Sequence, residues 1–294
     1  MRRSMGLTLV EMLIALAILG LVVMLATGGI ANGLRVDRTN QAAVSTQQKL
    51  RRVTEVYTQE LRSAVLGGLS TAPYVPGEHQ VSFITLAGAA GYPVLPEDSG
   101  NNASFPHAHN LRLQWSGGDA AAQALDGQQM TLVNSNDQAI TFTVTNVQAL
   151  GDGSYRVVHD QCANTIDYTA PRTVALSSRT VGFRFDPASG DLYMKEGSGP
   201  ERVMAFGLDS VVLQYVYQAA DGSVSMRSSP LTDGGVPTRT GVIAGKDVTL
   251  ARVGLVLSAS ARTMGSRTLR RTYSGMVEMA DTGTLLMNRV ESCK

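Results

Sequence analysis

Residues 1–20 read MRRSMGLTLVEMLIALAILG, and one carboxylate in a stretch otherwise suited to lipid decides how the chain is read. Glu11 is the sole charged side chain from Leu7 to Ala31, and Met12 to Ala26 carries none. As a helix at 1.5 Å per residue, Leu7 to Ala31 reaches about 37 Å, enough to cross a hydrocarbon core of about 30 Å. Arg2 and Arg3 precede the run and no basic residue follows until Arg35. The positive-inside bias therefore predicts a cytoplasmic N-terminus with the remainder across the membrane. A carboxylate in such a helix costs roughly 2.5–3.5 kcal/mol on insertion scales. A secretory signal peptide, for which Ala26-Thr27-Gly28 offers a cleavage site, would be discarded and gain nothing from that cost. An intramembrane acid thus reads as functional, against the alternative of an acid that snorkels to the headgroups from one turn inside.

Outward from this run the pattern stays helical but becomes amphipathic. Leu50, Val53, Tyr57, Leu61 and Val65 recur at three- and four-residue steps among Gln47, Gln48, Arg51, Arg52, Glu55, Gln59, Glu60 and Arg62, a stripe with a solvated back. Leu66-Gly67-Gly68 stops it, so the spacing predicts a helix from Leu7 to about Leu66, divided into a membrane half (7–31) and a stalk (32–66). From Ser70 on, short alternating runs are separated by turn residues, and a β-rich, mostly antiparallel head is expected over 70–294. Thr141–Thr145 leads through Gly151-Asp152-Gly153 to Tyr155–Val158. Val181, Phe183 and Phe185 lead through Asp186–Gly190 to Leu192–Met194. Val211–Tyr217 precedes Asp221-Gly222, Val253, Leu255 and Leu257 alternate, and a last strand falls around Thr272–Met279. Residues 87–127, poor in large apolar side chains, read as loops or an insertion. The fold class is α+β.

The stretch Gly6-Leu7-Thr8-Leu9-Val10-Glu11, behind a short basic leader and before an unbroken apolar helix, resembles the class III signal of type IV pilins and type II secretion pseudopilins. The resemblance implies that residues 1–6 are a leader, that prepilin peptidase cuts between Gly6 and Leu7, and that Leu7 is N-methylated. The first mature residue is usually Phe; Leu7 keeps it bulky and apolar. Leu7 and Glu11 lie one helical turn apart. The family pairs this carboxylate with the N-terminal amine of a neighbouring subunit, so the cost of Glu11 becomes a selection rule for docking. Gly28-Gly29 stands where major pilins commonly carry a proline, and offers a place to bend or simply a loosely packed helix. The order of the later strands is similar to minor pilins of the PilW type and to J-type minor pseudopilins. Implied partners are prepilin peptidase, other major and minor pilins or pseudopilins through the N-terminal helix, and the inner-membrane assembly platform. The implied protein is non-catalytic and needs no cofactor, and it moves from the inner membrane, with its head in the periplasm, into a pilus or pseudopilus serving DNA uptake, adhesion, twitching or secretion. The rival from another class is a single-pass membrane-anchored enzyme or ligand-binding protein.

A search for chemistry finds no G-x-S-x-G, H-E-x-x-H or G-x-G-x-x-G pattern. Gly241–Asp247 resembles a phosphate loop superficially, but three residues separate its glycines and Asp247 replaces the magnesium-binding Ser or Thr; a strand and turn are expected. His107 and His109 share a face in an extended segment without an evident third metal ligand. Asp152, Asp160 and Asp221 sit near glycine turns that match no calcium loop, and turn chemistry accounts for them. Arg262, Arg267, Arg270 and Arg271 form the densest cationic cluster of the head, a solvated hairpin or a contact to DNA phosphates, with aromatic interleaving limited to Tyr273. Overall, 25 basic against 24 acidic side chains give no general attraction for nucleic acid. Cys162 and Cys293 fit neither a zinc nor a thioredoxin-type motif. In an exported head they can close a disulfide loop of about 130 residues, worth about 4–5 kcal/mol in the chain-entropy model; the alternative is two unpaired, half-buried thiols.

Overall fold

The structure, a computed structural model, describes residues 9–96, 110–115, 117–136, 138–159, 172–262, 268–278 and 289–292. Helix α1 spans Leu9–Arg62, 54 residues, and runs uninterrupted through Gly28 and Gly29. Leu25 and Ala26 before the pair and Ala31 after it are good helix formers, although Thr27, Ile30, Asn32 and Gly33 are not. Ser63 ends the helix, its N–H reaching the carbonyls of Gln59 and Glu60 and its hydroxyl donating to Glu60 O at 2.7 Å. The expectation of helix to Leu66 is not met. Ala64–Leu69 is strand β1, paired antiparallel with β2 (Gln80–Leu95). Gly67-Gly68 penalises helix by about 1 kcal/mol per residue, and pairing to β2 satisfies the same backbone groups.

The chain forms two compact units. One takes in the helix up to Lys49 with Ser260–Arg271; the other holds Leu50–Ala259 and the residues from Thr272 on. The strands after β2 are β3 (Asn110–Gln114), β4 (Gln129–Val133), β5 (Gln138–Ala149), β6 (Ser154–His159), β7 (Val174–Asp186), β8 (Asp191–Glu196) and β9 (Arg202–Ala205), with the short helix α2 (Asp119–Gln123) before β4. They continue as β10 (Ser210–Ala219), β11 (Val224–Arg227), β12 (Leu231–Asp233), β13 (Val236–Thr238), β14 (Thr240–Ile243), β15 (Lys246–Arg262), β16 (Thr268–Glu278) and β17 (Arg289–Ser292).

The three expected hairpins form, β5–β6, β7–β8 and β10–β11, each antiparallel. β17 lies parallel to β5, whereas the other pairings whose register is described are antiparallel. The strands β5, β6, β3, β2 and β7 pair in that order, and β4 pairs with both β5 and β7, so these six close on themselves. Leu111, Leu113, Met130, Leu132, Ile140, Phe142 and Val157 fill the core they enclose. Part of the stretch expected to be loops, 87–127, is thus strand. Its small residues mark close approach: a Cβ on Gly91 would stand 2.8 Å from Val174 Cγ1. The second sheet, of β11, β10, β15 and β14 with β16 beside β15, shares another core with β7, β8 and the end of α1.

Leu50, Val53, Tyr57 and Leu61 all enter that core, as their spacing predicts. Burying them is worth about 1.5–3 kcal/mol each as an upper figure. The long N-terminal helix is therefore packed on a largely antiparallel β head, a pilin-like α+β architecture.

Candidate functional site

From Leu9 to Leu25 the helix leaves its large apolar side chains more than half exposed, from 52% at Val23 to 78% at Leu9. Thirteen such residues in one stretch amount to an apolar surface on the order of a thousand Å², several times the few hundred Å² a soluble monomer leaves uncovered. The helix is long and apolar enough to cross a membrane. The backbone at Glu11 is helical, whereas Gly6 and Leu7 lie outside the described residues. Thr27 donates its hydroxyl back to Val23 O at 2.9 Å, just before Gly28-Gly29. A Cβ on either glycine would meet nothing within 4 Å. Packing within the chain does not demand glycine there.

The lower end of the helix is held by an arginine that the sequence pattern did not single out. Arg179, on β7, donates from Nη2 to Glu60 Oε2 at 3.0 Å, from Nη1 to Glu196 Oε2 at 3.1 Å and from Nε to Thr85 Oγ1 at 3.1 Å. Glu60 was expected on the solvated back of the stalk; its side chain is 17% exposed because Arg179 reaches it from the sheet. The available signal was a charged residue among the alternating small and apolar positions of β7. Close by in sequence, Arg184 grips Glu201 through two hydrogen bonds, 3.1 and 2.9 Å, with the Tyr193 ring 4.6 Å from its guanidinium. Tyr74 donates its hydroxyl to the same Glu201. Burial, and then this carboxylate, push the Tyr74 phenol up to about 12.

Tyr57 stands at the centre of the helix-to-head contact. Its ring meets Phe183 edge-on at 5.2 Å, and its buried hydroxyl has no hydrogen-bond partner among the described residues. Burial holds its pKa well above the ordinary phenol value.

The remaining candidates resolve into turns. Asp152 accepts from Ser154 N at 2.9 Å and Ser154 Oγ at 2.5 Å, and pairs with Arg112. The Ser154 bonds, with help from Arg112, hold its carboxyl down at about 2. Asp221 accepts from Lys246 Nζ at 2.6 Å and from Ser223 N and Oγ, which keeps its pKa below the usual carboxylate range. Both carboxylates close hairpin turns. Gly241–Asp247 is the end of β14, a two-residue turn with Ala244 and Gly245 at φ 51° and 78°, and the start of β15. A cleft of about 860 Å³ opens there, lined by Gln218, Thr240, Asp247 and the Arg252–Glu278 ion pair among others. Among the described residues no group of three His, Cys, Asp or Glu side chains is placed to hold a metal ion. His107, His109, Asp160, Arg267, Cys162 and Cys293 fall outside the described residues, as does the side chain of Arg262. Arg270 and Arg271 are exposed on β16. Tyr273 lines a groove of about 480 Å³ with Thr54, Glu55, Thr58 and Arg62.

A family model for the prokaryotic N-terminal methylation motif matches residues 1–27. No curated protein and no solved structure matches the chain. The chain thus carries the N-terminal signature of the type IV pilin and pseudopilin class, joined to a long apolar helix.

Proposed function

We propose that this chain is a non-catalytic, pilin-like subunit that waits in the inner membrane with its N-terminus in the cytoplasm, is processed, and then joins a filament through α1. One observation carries the reading: the methylation motif runs directly into a helix whose first half is bare and apolar and whose last turns are packed on a β head. Prepilin peptidase cuts between Gly6 and Leu7 and methylates Leu7. The carboxylate of Glu11 then meets the new amine of a neighbouring subunit, which makes charge pairing a condition of docking. Lipid covers the exposed helix before assembly, and the helices of neighbours cover it afterwards. The finer reading, a minor pilin of the PilW type with a J-type minor pseudopilin as runner-up, rests on the size of the chain and the order of its strands. Its service in DNA uptake, adhesion, twitching or secretion is separated by scoring a deletion strain for piliation, transformation and protein secretion together.

Two measurements test the proposal. Mass spectrometry of the mature protein is expected to begin at N-methyl-Leu7, leaving 23 basic against 24 acidic side chains once Arg2 and Arg3 are gone. A mature N-terminus near Gly28 would establish a secretory signal peptide instead. Glu11→Ala protein is expected to be cleaved and membrane-bound yet missing from sheared filaments. Leaving the partner amine buried and unpaired costs about 3–5 kcal/mol, roughly a thousandfold in docking. Recovery of the variant in filaments at the wild-type level refutes the pairing.

A further inference from the structure

We draw no further inference here: the strongest candidate, the open cleft of about 860 Å³ where β14 gives way to the Arg252–Glu278 pair along β15, carries nothing because the chain between Glu278 on its wall and Arg289, which pairs with Thr238 next to the lining residue Arg239, lies outside the described residues, so that nothing in the structure shows what covers it.

Discussion

Replacing Tyr57 by Phe should stabilise the head. The Tyr57 hydroxyl is fully buried without a hydrogen-bond partner among the described residues, and a polar group left in that condition costs about 1–3 kcal/mol. The Phe ring keeps the edge-on contact with Phe183 and the packing against the sheets, so the desolvation cost is removed with little loss of contact. For a head of this size each kcal/mol moves Tm by about 2–4 °C, which puts the expected rise at about 2–12 °C. A pH dependence sharpens the case. Burial raises the folded-state pKa of Tyr57 above the unfolded value near 10, so the unfolded chain releases this proton first as pH climbs. Its contribution to stability is complete below about pH 10 and declines above it, by about 1.4 kcal/mol per pH unit while the folded form stays protonated. Tyr215 is raised by burial in the same way and remains in the variant, so the variant should still lose stability above pH 10, with a slope shallower by one proton. Thermal and urea unfolding of detergent-solubilised protein from pH 7 to 11 measures both effects. A fall in Tm at pH 7 together with an unchanged alkaline slope would show that the hydroxyl is satisfied and the argument mistaken.

Arg179→Met should loosen the end of α1 from β7. The arginine is 41% exposed, so screening limits the loss of its two ion pairs to about 1 kcal/mol, and the difference from wild type should shrink with added salt in urea titrations. Gly275→Ala places a Cβ 2.7 Å from Thr54 Cγ2 and should cost about 1–3 kcal/mol by forcing β16 away from the helix. In contrast, Gly29→Ala meets open space and should raise helicity measured by circular dichroism, by up to about 1 kcal/mol in helix stability. The Asp152 carboxyl, held near 2 by Ser154 and Arg112, contributes stability that is present above its unfolded pKa near 4 and is lost as pH falls towards 2. Asp152→Asn should flatten the acid limb of the unfolding curve between those values, and an unaltered limb would deny the depressed pKa.

What could be read without the structure was what local periodicity encodes. The apolar run with Glu11 inside it, the stripe Leu50, Val53, Tyr57 and Leu61, and the hairpins at Gly151–Gly153, Asp186–Gly190 and Asp221-Gly222 all show in residue spacing, because helix, strand and tight turn depend on near neighbours. The methylation motif is likewise contiguous, so the candidate site was legible where it is linear. Contacts between residues far apart in sequence were not. The closure of six strands through the pairing of β4 with β7, the parallel insertion of β17 beside β5, and the turn of Ala64–Leu69 from helix to strand depend on partners 14 to 151 residues away. So does Arg179: it lies 119 positions from Glu60, and nothing near either residue reveals that they meet. Spacing sets which groups a short segment presents, whereas chain closure over long loops, with its entropy cost offset by many contacts formed together, sets which groups they meet.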